Sequence, residues 1–170
     1  MDWKVSDAVI YGNNGTCRIT DIQELALTED GEKTYYILEP LYRARMTIYV
    51  DEKKGDESFR CPPTVAEING LISSIRDQEW IANEKERQQA NAERIQGGQY
   101  ADLLSVMATL YKMGEEKRIA GRKLSAADAR DKDLAENIIS QSFAYSLGIE
   151  PEEVPDYIRR HVHAAPGSRK

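Results

Sequence analysis

Trp80, the two cysteines and the two histidines are the residues with the most chemistry to offer, and their spacing narrows what that chemistry could be. Cys17 and Cys61 have no ligand-like spacing to each other, and His161 and His163 sit near the end of the sequence, so the pattern is that of reduced thiols rather than a metal site. Acidic pairs such as Glu84/Glu86 and Glu152/Glu153 fall in stretches that read as exposed helix, where solvation explains them. Gly12 and Gly15 bracket two asparagines but lack the lysine and following helix of a phosphate-binding loop. No catalytic residue, metal or cofactor is expected, and these residue types point away from an enzyme. Trp80 remains. It opens residues 78–98, expected as a highly solvated helix because residues 83–94 hold no apolar side chain larger than alanine. An indole in that place is either an anchor into the body or an exposed ring able to stack or wedge, and local pattern leaves both open.

The elements that must position such residues are legible in outline. A chain of 170 residues with 41% hydrophobic and 31% charged residues can build one or two small cores. The net charge of −6 excludes a general electrostatic attraction to nucleic acid, so any such contact needs a local patch. Residues 112–132 supply one, with seven cations (Lys112, Lys117, Arg118, Arg122, Lys123, Arg130, Lys132) against four anions. A solvated helix end with its loop explains the same window equally well. The opening MDWKVSDA has no apolar leader core and no run approaches the length of a membrane span, which predicts a cytoplasmic protein without a membrane partner.

Residues 4–50 read as short strands. Residues 8–11 are a brief apolar run, Asn13-Asn14-Gly15 is a turn signal, and residues 16–23 alternate, with Cys17, Ile19 and Asp21 on one face. Asp30-Gly31 marks a hairpin, residues 34–38 a β-branched and aromatic strand, and residues 45–50 a last strand. Residues 51–63, charged and ending in Pro62-Pro63, read as a boundary. Thr64 and Glu67 have capping-box spacing ahead of Ile68, Leu71, Ile72 and Ile75. Gly97-Gly98 ends the polar helix, and Tyr100, Leu103, Leu104, Met107, Leu110 and Tyr111 form the clearest apolar stripe. Ser125 and Asp128 could cap a further helix with Leu134, Ile138, Phe143, Tyr145 and Leu147 as its apolar contacts, stopped by Gly148. Pro151 opens a final short helix, and residues 163–170 read as a frayed tail. The expected fold is α+β: an N-terminal small antiparallel β-barrel of Tudor/SH3-like type followed by an all-α helical domain, in two segregated units at residues 1–60 and 61–170.

A binding module fits this layout. It offers a strand edge able to pair with another sheet and a helical face carrying an aromatic among cations. Tyr36, Met46, Ile48 and Tyr49 are apolar on strands where only alternate positions can face a core, so some should face out, unless both faces of a small barrel are half buried.

With these residues laid out, the chain resembles the CarD/CdnL family of bacterial RNA polymerase-binding transcription regulators. The opening from Lys4 through Val9-Ile10-Tyr11 to Gly15, followed by Cys17-Arg18-Ile19, is similar to that family's V-x-D-x-V-V-Y run, glycine turn and strand. Trp80-Ile81 ahead of a polar helix, Gly97-Gly98, Leu103-Leu104, Thr109-Leu110-Tyr111, Gly121 to Leu124 and the block ending at Leu147-Gly148 are similar to its second half. The resemblance implies a Tudor-like domain that docks on the RNA polymerase β subunit, through Tyr36, Met46, Thr47, Ile48 and Tyr49. It also implies a helical domain on promoter DNA at the upstream edge of the transcription bubble. There Trp80 would wedge into the minor groove and favour the open complex, with Lys85, Arg87, Lys117, Arg118, Arg122 and Lys123 as DNA contacts. A monomer is expected. The alternative is a protein–protein adaptor whose helical domain does not contact DNA, which the Glu84/Glu86 flank favours.

Overall fold

The computed structural model describes residues 2–164 and the side chains of residues 2–162. Four antiparallel strands come first: β1 (Ala8–Ile10), β2 (Thr16–Thr28), β3 (Gly31–Pro40) and β4 (Ile48–Asp51), hydrogen-bonded in the order β1-β2-β3-β4. This is a meander; a ladder from β1 to β4, which a closed barrel requires, is not among its pairings. Alternation along β2 is broken once. Ile19 pairs with Leu38 and Asp21 with Ile37, so Thr20 is an extra residue, and its hydroxyl donates to the Ile37 carbonyl at 3.1 Å. The bulge changes the phase of the strand. Strict alternation puts Ile22 opposite Ile19, whereas here both pack against the sheet's own core with Val9, Cys17, Tyr36, Leu38, Val50 and Phe59. Burial pushes the Cys17 thiol up to about 11, which keeps it protonated near neutral pH, while Cys61 is exposed.

The charged stretch after β4 is not a linker. Residues Glu52–Ser58 form helix α1, whose first amides are capped by the Asp51 carboxylate accepting from Lys53 N at 3.1 Å and Lys54 N at 3.3 Å. Gly55 lets this helix approach: a Cβ there would lie 2.6 Å from Cδ2 of Tyr36. Arg60 then returns to the sheet, exchanging both backbone hydrogen bonds with Ile10.

Five helices follow: α2 (Val65–Ser73), α3 (Glu84–Gly97), α4 (Tyr100–Ile119), α5 (Ala126–Leu147) and α6 (Val154–Ala164), the last led in by a 3-10 turn at Pro151–Glu153. Thr64 and Glu67 make the expected capping box, and Gly98 ends α3 in the left-handed conformation. α2 stops at Ser73, so Ile75 reaches the core from the connection after it. The second core gathers Ile68, Ile72, Ile95, Leu103, Leu104, Met107, Leu110, Ile138, Ile139, Phe143, Val154 and Ile158. Each fully buried Ile, Leu or Phe there contributes about 1.5–3 kcal/mol. Leu134 and Tyr145 of α5, and Tyr111 of α4, are exposed and not core. Spacing of five between Ile138 and Phe143 rotates the stripe and leaves Leu134 and Tyr145 off its edges. The expected tail begins too early, since α6 runs to Ala164; residues 165–170 lie outside the described residues.

The two cores meet at a short seam. The 3-10 turn Gly12–Asn14 between β1 and β2 lies against α3 and α5, with Asn13 Nδ2 donating to the Ile95 carbonyl at 3.0 Å. Thr16 Oγ1 donates to the Ser142 carbonyl at 3.3 Å, and the guanidiniums of Arg18 and Arg60 lie over the rings of Tyr145 and Tyr100. Among the described residues no helix is long and apolar enough to cross a membrane.

Candidate functional site

Trp80 does not lie in a helix. Residues 75–83 run without regular structure from the end of α2 to Asn83, whose side chain caps α3 by accepting from Glu86 N at 3.0 Å. The helix starts at Glu84, and Trp80 belongs to the turn that feeds it. The first half of this turn is fastened to α4. Ser105 Oγ donates to the Arg76 carbonyl, Gln78 N donates to Thr109 Oγ1 at 2.8 Å, and Lys112 Nζ meets Asp77 Oδ2 at 2.7 Å. The Lys112 ammonium also holds the Asp77 carboxyl below the usual carboxylate range.

The second half is fastened from below by Arg87. This side chain is only 7% exposed. Its Nε donates to Asp128 Oδ1 at 2.9 Å and its Nη2 to Asp128 Oδ2 at 2.8 Å, a two-toothed pair with a carboxylate that is itself 0% exposed. Nη1 donates to the Ile81 carbonyl at 2.8 Å. The centre of the guanidinium lies 4.2 Å from the centroid of the Trp80 ring, and Lys117 Nζ lies 5.8 Å from it. The indole is half-buried, one part against the helical core and the rest open to solvent. The ring is therefore an anchor that keeps a part open to solvent.

This geometry corrects one expected DNA contact. Arg87 is poorly placed to meet a phosphate, because it is only 7% exposed and most of its donors are taken by Asp128 and the carbonyl of Ile81. The remaining cations are placed differently. Lys85, Arg122 and Lys123 are exposed, Lys117 is half-buried beside the indole, and none of the four is ion-paired among the described residues. Arg118 is exposed and paired with Glu115, its Nε donating to Oε2 at 3.0 Å. Lys117 is the member of the basic window that reaches the ring. In the sequence Asp128 reads only as part of a helix cap, three positions after Ser125, and its amide does bond Ser125 Oγ at 3.1 Å, but the carboxylate turns inward to a partner 41 residues away.

The second expected surface is the free edge of β4. Tyr49 is 51% exposed and Met46 38%, Thr47 is exposed, and Ile48 is half-buried against the sheet core. Tyr36 is corrected. It is 4% exposed, its ring packs on Gly55 and Phe59, and its hydroxyl donates to Asp56 Oδ1 at 2.7 Å. Burial, then that hydrogen bond, push its phenol well above the ordinary range. Its pairing with Ile22 and Val50 places it on the inner face, and Tyr49 on the outer one.

Comparison with known proteins supports this half of the chain. Residues 3–56 match the family model of the CarD-like/TRCF RID domain, a segment that holds all four strands and ends inside α1. No curated protein matches the chain at a significant level. The free β4 edge thus lies in a segment with a domain assignment: residues 3–56 match the CarD-like/TRCF RID domain, a domain that interacts with the RNA polymerase β subunit.

Proposed function

We propose that this protein is a non-enzymatic, cytoplasmic transcription regulator in which the RID domain, Tudor-like in character, docks on the polymerase β subunit and the helical unit carries Trp80 to promoter DNA. At the upstream edge of the transcription bubble the indole fills an unstacked step and favours the open complex. Creating such a step costs a few kcal/mol, which an inserted ring offsets. The observation that carries this reading is the half-buried indole, presented on a fastened turn with Lys117 beside it, a lysine without an ion pair among the described residues. Lys85 and Lys117, with Arg118, Arg122 and Lys123 along the end of α4, would meet phosphates and orient the ring without reading sequence. Their charge is modest, so attachment through the RID domain supplies the effective concentration that weak DNA affinity lacks.

The lifetime of the promoter open complex tests the wedge. Trp80→Ala is expected to shorten it about threefold to tenfold, equivalent to roughly 1 kcal/mol. An unchanged lifetime, with polymerase binding intact, would remove DNA insertion from the mechanism. Docking is tested separately. Tyr49→Glu places a charge on the exposed face of the β4 edge without touching the sheet core, and is expected to weaken binding to an isolated β-subunit fragment about tenfold at unchanged helical content. Equal affinity of the two proteins would mean that another surface docks.

One observation favours the adaptor reading. Glu79, Glu84 and Glu86 are exposed around the turn and would repel a phosphate backbone. Salt separates the two readings: binding to forked DNA should fall steeply as salt rises if the helical unit touches phosphates, and should be absent if it does not.

A further inference from the structure

Arg87 and Asp128 form a buried charge pair whose members sit on different helices, and its cost in desolvation calls for a return. The return is visible in the turn above it. Residues 75–83 have no strand or helix ladder, and their first half is tied to α4 through Ser105, Thr109 and Lys112. Among the described residues the hydrogen bonds to residues 79–82 come from Arg87 alone, to the carbonyls of Ile81 and Ala82. The same guanidinium lies at 4.2 Å from the Trp80 centroid. Its plane is set by the two-toothed bond to Asp128, and Asp128 is fixed at the first turn of α5 by the Ser125 cap.

We propose that the Arg87–Asp128 pair is the positioning device of the Trp80 turn. The carboxylate orients the guanidinium, and the guanidinium fixes both the backbone beside the indole and the ring itself. Arg87 acts on DNA only through Trp80, which makes it a positioning residue and not a phosphate contact. This rests on the reading of Trp80 as the functional tip. Arginine suits the task because one rigid plane satisfies a carboxylate on one side, a carbonyl on another and an aromatic face above. Lysine would keep the charge but could not make those contacts together. An apolar side chain would pack under the ring but leave the carbonyls untied.

The protein has two tryptophans, so a Trp3→Phe background makes Trp80 the sole indole emitter. In that background, accessibility to acrylamide reads the turn directly, and open-complex lifetime reads its consequence. The double variant Arg87→Met/Asp128→Leu removes both charges and leaves no unpaired ion in the interior. It is expected to raise the quenching constant of Trp80 about twofold or more while unfolding stays cooperative, as a turn released from its tether opens locally. Its open-complex lifetime should match that of Trp80→Ala, with no further loss when the substitutions are combined. Arg87→Lys should fall between this variant and the wild type in both measurements. Unchanged quenching in the double variant, or a lifetime loss that adds to that of Trp80→Ala, overturns the proposal. Should the double variant not fold, Arg87→Lys decides: wild-type quenching overturns the proposal and raised quenching supports it. If Trp80→Ala itself leaves the lifetime unchanged, the wedge reading fails, and the quenching data alone judge the positioning role.

Discussion

Asp128→Ala is expected to cost the protein about 3–5 kcal/mol, a large part of the roughly 5–15 kcal/mol that holds a domain folded. The carboxylate is fully buried and accepts from two nitrogens of Arg87, which is itself 7% exposed. Removing it leaves two donors of a charged guanidinium facing the interior. A lysine in that place could shed its proton and become neutral, but arginine does not deprotonate in proteins, so the whole penalty is felt. Removing both partners behaves differently. Arg87→Met/Asp128→Leu gives up the ion pair and its desolvation cost together, and should stay within about 1–2 kcal/mol of the wild type. Urea unfolding checks both, with a lower midpoint at unchanged slope for the single variant and a near-native midpoint for the double. A loss below about 1 kcal/mol for Asp128→Ala would mean that water reaches the pair in solution.

That pair also marks where the sequence stops being legible. The β-then-α order, the Asn13-Asn14-Gly15 turn, the Thr64–Glu67 cap, the stop at Gly97-Gly98 and most of the α4 stripe are local signals, and the structure has them where they read. Failures occur where a local pattern is overruled at a distance. Residues 83–94 read as highly solvated because they hold no large apolar side chain, yet α3 buries Arg87 and Asn91 within them, on one face with Ile95. Most of the buried face is polar, and the partner of Arg87 is a carboxylate on α5 that no spacing announces. Helix α1 was hidden for the opposite reason. Its sequence EKKGDES offers no apolar face, and it forms because Asp51 caps it and Gly55 admits the Tyr36 ring. Tyr36 is a polymerase contact only by the resemblance, since alternation leaves its facing open, whereas its pairing with Ile22 and Val50 puts it on the core side.

Distant partners also decide the roles at the candidate site. Residue types alone class Arg87 with Lys85 and Lys117 as cations near an aromatic. Only their partners divide them, Arg87 beneath the indole with most of its donors used and Lys117 beside it with no ion pair among the described residues. In the proposed function, positioning of the ring and contact with phosphate would then fall to different side chains, which lets each be varied separately.

The other large effect is expected at the seam between the two cores. Gly15 sits at φ 73° and ψ −150°, a conformation close to glycine's own territory, and it presses its Cα face on α5. A Cβ at this position would lie 2.7 Å from Cβ of Gln141 and 3.1 Å from its carbonyl oxygen. The obstacle is the root of a side chain and the backbone of a long helix, so neither can swing away. Gly15→Ala therefore carries two costs, about 1–3 kcal/mol for the backbone conformation and about 1–3 kcal/mol for the overlap. To relieve the second, the turn must back off from α5, which stretches the Thr16 bond to the Ser142 carbonyl and the Asn13 bond to the Ile95 carbonyl. Gly12→Ala is the control. Gly12 is also at positive φ, 52°, but a Cβ there meets nothing within 4 Å. It should lose about 1 kcal/mol, the backbone cost of a left-handed alanine. The excess loss in Gly15→Ala over Gly12→Ala, measured by urea unfolding, reads the tightness of the seam. Equal losses would show that the sheet and α5 stand further apart in solution.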